Sequence, residues 1–209
     1  MGINYKELEA INNHAQENNV KLLIVTKKRS LKDIEELISL GYRNFGENKV
    51  QEADLKFSKL ISSNKVNLSL IGPLQTNKAK VALKIFDTIQ TIDRKKLVDE
   101  IIKFHGQNAK TKNFFIQINI GNEEQKSGVH ENDLSYLYEY CVNNGLFIEG
   151  LMCIPPNIEN PSIYFERMNF LKNNLNPDLK LSMGMSTDYK IAIKHKSNLI
   201  RVGSLIFNE

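Results

Sequence analysis

The stretch LLIVTKKRSLKDIEELISLGYRNFGEN, Leu22 to Asn48, reads as strand, helix, strand. Leu22–Thr26 is a short, densely apolar run, the pattern of a strand covered on both faces, as in parallel sheets. After Ser30, the side chains of Leu31, Ile34, Leu37 and Ile38 share one helical face, and Ser30 with Asp33 forms a capping pair. Gly41 supplies the left-handed residue that ends many helices, and the next apolar run begins at Tyr42.

The same alternation continues outward from this unit. Apolar runs recur at Val66–Ile71, Phe86–Thr91, Phe114–Ile120, Phe147–Ile154, Leu179–Met183 and Asn198–Val202, which with Leu22–Thr26 and Tyr42–Phe45 makes eight candidate strands. Helical spacing returns at Leu134, Leu137, Tyr138 and Cys141, and again through Leu97 and Ile101, where Asp93 is placed to cap. A further helix over about residues 3–17 precedes the first strand. Uninterrupted strand–helix repetition implies right-handed crossovers and a parallel sheet, and eight units favour a closed (β/α)₈ barrel over an open doubly wound sheet. No Pro/Gly/Ser-rich linker divides the chain, so residues 1–209 are read as a single domain near the short end for such a barrel.

Composition excludes several function classes. The 28 basic and 24 acidic side chains leave a net charge of +4, compatible with a small anionic ligand but too scattered for nucleic acid. No apolar run is long enough for a membrane span, and the polar start MGINYKELEA lacks the apolar core of a signal peptide. Cys141 and Cys153 make no disulfide framework, which points to a reducing, cytoplasmic setting. The histidines His14, His105, His130 and His195 show no metal spacing, and no serine elbow, Walker loop or dinucleotide fingerprint is present.

In a (β/α)₈ barrel, ligand-binding groups sit at the C-terminal ends of the strands and in the loops after them. Lys27 ends the first apolar run, and an ammonium partly desolvated at the barrel mouth would favour the amine needed for carbonyl attack. Lys28 competes for that role, although strand alternation points the two to opposite sides. FGEN (Phe45–Asn48) offers Gly46 for a turn, with Glu47 and Asn48 at the rim. Gln75, Thr76 and Asn77 of IGPLQTNK (Ile71–Lys78) either cap the next helix or face the pocket. LSMGMSTD (Leu181–Asp188) reaches Ser186, a good helix cap, and RVGS (Arg201–Ser204) leaves the last strand through Gly203. Two adjacent loops with glycines, hydroxyls and free N–H groups make a candidate phosphate cup after strands seven and eight. Arg201 would lie in the same mouth, with Glu47 as one conceivable ion-pair partner.

These residues, in this order, resemble the pyridoxal phosphate homeostasis protein family. The resemblance runs through VTK (Val25–Lys27), FGEN with VQE (Phe45–Glu52), IGPLQTNK and TIDR (Thr91–Arg94). It continues through QINI…KSG (Gln117–Gly128), GLM…IPP (Gly150–Pro156), LSMGMSTD and RVGSLIF. It implies a pyridoxal 5′-phosphate (PLP) barrel of fold type III, similar to the N-terminal domain of alanine racemase but without the second β domain. By the same resemblance, Lys27 forms a Schiff base with PLP, and Ser186, Gly203 and Ser204 bind its phosphate. Arg201 faces the pyridine nitrogen, and Asn48 lies beside the ring. Two positions depart from the family: Ser69 stands where histidine is common, and Lys49 where tyrosine follows FGEN.

The implied function is PLP homeostasis and amino-acid/2-oxo acid balance by a monomeric carrier or regulator. PLP is its ligand, apo PLP-dependent enzymes are its candidate recipients, and no residue is assigned a catalytic role. A guanidinium stays protonated, so Arg201 gives the ring nitrogen no proton, and an unprotonated ring is a poorer electron sink. The chain, ending at Glu209, is also expected to lack the second domain that brings a tyrosine base in alanine racemase-like enzymes. The alternative is a low-activity racemase-like enzyme, for which Tyr42 or Tyr189 would have to lie near the site. A third reading is a Schiff-base aldolase acting on a phosphosugar through Lys27.

Overall fold

The computed structural model describes residues 2–62, 66–106, 109–158 and 160–207. Eight parallel strands close into one barrel in sequence order: β1 Lys21–Val25, β2 Asn44–Glu47, β3 Asn67–Leu70, β4 Thr88–Ile92, β5 Asn113–Ile118, β6 Ile148–Cys153, β7 Lys180–Ser182 and β8 Leu199–Val202. Closure is by the β1–β8 pairing, which sets Leu23 beside Arg201 and Ile24 beside Val202. The expected barrel is therefore the observed one, and the open-sheet alternative is not.

Each crossover carries a helix: α2 Leu31–Ser39, α3 Val50–Ser62, α4 Ala79–Ile85, α5 Lys95–His105, α6 Leu134–Asn143, α7 Ser162–Leu175 and α8 Tyr189–Lys194. The expected extra helix is α1, Tyr5–Glu17, capped by Asn4. It is tied to the end of the barrel by an Asn4 N–H bond to the Ile206 carbonyl and by the Ile3–Phe207 bridge. No helix among the described residues is long and apolar enough to cross a membrane.

Local chemistry explains where the elements begin and end. Ser30 and Asp33 form the expected reciprocal capping box at α2, and Gly41 beyond its end adopts φ +95°. The Asp93 cap does not form: α5 starts after Arg94, and the Asp93 carboxylate pairs with the Arg94 guanidinium instead. Burial is the largest influence on Asp93 and raises its pKa, with Arg94 opposing it.

The second strand lies later than the apolar run predicts, because Gly46 and Glu47 belong to β2 and not to a turn. A Cβ at Gly46 would meet Leu23 Cδ2 at 2.9 Å. The glycine thus serves close packing inside the barrel.

Two apolar clusters divide the core. Leu22 and Ile24 of β1 join the large cluster between sheet and helices, with Phe45, Phe57, Phe114 and Phe165. Leu23 and Val25, on the opposite face, form a small cluster with Ile71 and Leu199. That small cluster and Phe115 are apolar parts of the barrel interior, which also holds the buried polar residues Ser69, Gln90, Ser182 and Arg201. A cavity opens at each end of the barrel. The lower one, about 280 Å³, meets the strand starts at Lys21, Asn44, Asn67, Thr88 and Asn113. The upper one, about 320 Å³, lies at the strand ends.

Candidate functional site

The upper cleft is lined by Val25, Lys27, Asn48, Ile71, Ile154, Met185, Ser186, Thr187, Arg201, Gly203 and Ser204. All six residues singled out from the sequence (Lys27, Asn48, Ser186, Arg201, Gly203 and Ser204) meet there, from the loops after β1, β2, β7 and β8 and from β8 itself.

Lys27 leaves the barrel directly after Thr26, the residue that follows β1. Its side chain is exposed at the rim, where partial desolvation was expected. The backbone on either side of it is fixed by α3. Lys56 Nζ donates to the Thr26 carbonyl at 2.8 Å, to Glu47 Oε1 at 3.0 Å and to Glu52 Oε1 at 2.6 Å. Glu52 Oε1 also accepts from the Lys28 N–H at 2.5 Å, and Thr26 Oγ1 donates to Glu47 Oε1 at 2.8 Å. Lys28 is held at φ +61°, a conformation few non-glycine residues adopt, and does not line the cleft.

Glu47 therefore faces outward to Lys56 and Thr26, not to the rim and not to Arg201. Desolvation raises its pKa against the pull of Thr26 and Lys56, and its Oε2 has no hydrogen-bond partner among the described residues.

Arg201 is buried at 3% exposure. Its Nη1 donates to the Ser182 carbonyl at 2.6 Å and to Ser182 Oγ at 2.7 Å, and its Nη2 donates to the Cys153 carbonyl at 2.7 Å. No carboxylate hydrogen-bonds it among the described residues, so its charge is held by neutral acceptors. Burial is the main influence on its pKa and pushes it down, while Asp188 opposes that. Since a guanidinium has five N–H donors, Nε and one Nη2 hydrogen keep no acceptor among the described residues. Arg201 thus reaches the cleft with donors to spare.

The two C-terminal turns meet beside it. A Cβ at Gly203 would sit 3.0 Å from the Val25 carbonyl oxygen, so glycine lets this turn approach β1 without displacing that backbone. The N–H groups of Ser186, Thr187, Gly203 and Ser204 have no acceptor among the described residues. Ser186 does not cap α8: Asp188 precedes the helix, and its Oδ1 accepts from the Met185 N–H at 2.6 Å. Burial raises the Asp188 pKa, and that hydrogen bond opposes it.

Several expectations place residues elsewhere. Ser69 lines the lower cavity with Gln90 and Phe115, at the opposite end from the cleft, and its own side chain does not line the cleft. Lys49 is exposed in a shallow groove with Asn48, Pro73 and Gln75. Thr76 and Asn77 form a short 3₁₀ turn with no side-chain cap from Gln75. Neither tyrosine considered for catalysis reaches the cleft. Tyr189 is buried against His14, and Tyr42 borders a groove with Arg43 and Asn44 at the start of β2. Among the described residues no cluster of histidine, cysteine, aspartate or glutamate is placed to hold a metal.

The sequence reading passed over Ser182, Gln90, Glu52 and Lys56. Ser182 lies inside a quoted motif, and Gln90 is a lone amide within the apolar run Phe86–Thr91. That second signal could have marked a polar barrel interior.

A closed parallel barrel with a lysine after β1 and a hydroxyl- and glycine-lined cup after β7 and β8 defines the class to which PLP-binding barrels belong. The alanine racemase N-terminal domain family matches residues 5–209. The pyridoxal phosphate homeostasis protein of Aquifex aeolicus is 37% identical over 202 residues, covering 92% of this chain and 88% of that protein. The structure of PipY from Synechococcus elongatus without PLP superposes with a TM-score of 0.87 at 29% identity, over 97% of this chain and 99% of that one. Its structure with PLP bound gives 0.83 at the same identity and coverage. The chain belongs to the pyridoxal phosphate homeostasis protein family, within the larger group built on the alanine racemase N-terminal domain.

Proposed function

We propose that this protein binds PLP in the upper cleft, holds it as a Schiff base on Lys27, and acts as a carrier or regulator in intracellular PLP homeostasis and amino-acid/2-oxo acid balance. The observation that carries this reading is the convergence of Lys27, Asn48, Ser186, Arg201, Gly203 and Ser204 on one cleft. The cleft fits the ligand. Free turn N–H groups and two serine hydroxyls suit a phosphate dianion, Val25, Ile71 and Ile154 give apolar walls for a ring, and Arg201 has unspent donors for a ring nitrogen. The solved PLP complex of PipY supports the same assignment.

PLP supplies an aldehyde that condenses with amines and a ring that withdraws electrons. Lys27 offers the amine, Ser186, Ser204 and the turn N–H groups anchor the phosphate, Asn48 borders the ring, and Arg201 donates to the pyridine nitrogen. Arg201 cannot supply that nitrogen with a full proton, because a guanidinium does not give one up near neutral pH. No tyrosine lines the cleft among the described residues, which argues against the racemase-like alternative. In this reading the chain is a single cytoplasmic domain, monomeric, that releases PLP to apo enzymes.

Titration of the purified protein with PLP tests the proposal. A visible imine band saturating at one PLP per chain is the expected result, with no racemisation or decarboxylation of added amino acids above the free-PLP background. Absence of the band overturns the Schiff-base assignment, and absence of any saturable PLP binding overturns the cleft as a PLP site. Turnover well above background overturns the carrier assignment in favour of the enzyme.

A further inference from the structure

Besides the Ser182 and Cys153 carbonyls, Arg201 is held by a line of interior side chains that runs through Ser182 to Gln90. Ser182 Oγ accepts from Arg201 Nη1 at 2.7 Å and lies 2.7 Å from Gln90 Oε1. A guanidinium only donates, so the serine oxygen accepts from it, and the serine hydroxyl in turn donates to Gln90 Oε1. The Gln90 amide oxygen thus faces Ser182. Gln90 is fully buried, its Nε2 has no partner among the described residues, and it borders the lower cavity. An apolar side chain would avoid that desolvation cost. The amide stands where packing alone would not put one, and its oxygen is the acceptor that fixes the Ser182 proton.

We propose that Ser182 and Gln90 are positioning residues for Arg201, relaying from the lower end of the barrel to the ring-nitrogen contact in the cleft. The inference rests on the PLP reading above, since Arg201 is given its task there. Without Gln90 Oε1 the Ser182 hydroxyl can rotate, and Nη1 keeps only the Ser182 carbonyl as a fixed acceptor. The guanidinium is then left with the Ser182 and Cys153 carbonyls as its anchors and presents its spare donors to the cleft less firmly.

The test compares two ligands on the full chain: PLP, and its 1-deaza analogue, in which carbon replaces the pyridine nitrogen. Both carry the same aldehyde and phosphate. Ser182→Ala and Gln90→Leu are expected to weaken PLP roughly tenfold while shifting the deaza analogue less than about twofold. Gln90→Glu, which keeps an acceptor oxygen, is expected to restore PLP affinity. Ser182→Ala removes a single oxygen and preserves the test if Gln90→Leu does not fold. Equal losses for both ligands, or no loss for either, overturn the positioning role while wild-type PLP binding still stands. Failure of the wild-type protein to bind PLP removes the functional reading itself, and this inference with it.

Discussion

Replacing Lys27 by alanine abolishes the imine band of the protein–PLP mixture and leaves a folded protein that still binds PLP weakly. Lys27 is the one lysine lining the cleft among the described residues, so no neighbouring amine stands ready to replace it. Covalent capture adds to the phosphate and ring contacts without altering them. Its loss is expected to weaken PLP about a hundredfold, or about 2.7 kcal/mol. The phosphate-binding turns remain, so inorganic phosphate should compete for the residual binding. The side chain is exposed, and substitutions at such positions change stability by no more than about 0.5 kcal/mol. Unfolding of the apo variant should therefore coincide with that of apo wild type. Band loss accompanied by a large fall in thermal stability would show that Lys27 serves the fold.

The second large effect lies beneath that lysine. Lys56→Met removes the cation that offsets Glu47, whose side chain is fully buried, and frees the Thr26 carbonyl and Glu52 that brace the β1–α2 loop. Breaking a buried pair in this way costs about 3 kcal/mol. The cost depends on pH with a definite sign. Desolvation already raises the Glu47 pKa above its ordinary 4.5 in the folded wild type, and Lys56 lowers it. Without Lys56 the folded pKa climbs further, while the unfolded value is unchanged.

The native variant thus binds a proton more tightly than its unfolded chain, and its stability falls as pH rises from the unfolded pKa through the folded one. Denaturant unfolding of both proteins should show a larger gap at pH 8 than at pH 5. A gap that does not change with pH would mean that Glu47 is not the group left unpaired. PLP affinity should fall as well, because the loop carrying Lys27 loses the tie from Lys56 to the Thr26 carbonyl and keeps only that from the Lys28 N–H to Glu52.

The architecture was legible because both faces of most strands are buried, which leaves runs such as Leu22–Thr26 and Phe114–Ile120 unmistakable between helices. β2 was misplaced by two residues because Gly46 and Glu47 look like turn residues. In the structure the first fits a narrow gap against Leu23, and the second is neutralised from α3. The residues gathered in the cleft were legible because they sit directly after strands, where the barrel converges.

What escaped were pairings across the barrel. Ser182 and Gln90 are 92 residues apart, and nothing local to either predicts the bond between them. Arg201 was set against Glu47 on charge alone, but β8 alternation sends the arginine inside while Glu47 faces α3. Ser69 was singled out only because it stands where histidine is common in the family. Its side chain, inside the barrel on β3, borders the lower cavity instead.

The most direct test of the central claim is chemical trapping. Wild-type protein saturated with PLP is reduced with borohydride, digested, and the peptides are mapped by mass spectrometry for a phosphopyridoxyl-lysine. The account requires that label on Lys27, at close to one per chain, and requires that inorganic phosphate in excess suppress it. Label spread over exposed lysines such as Lys49 and Lys190, or absent from Lys27, would contradict it.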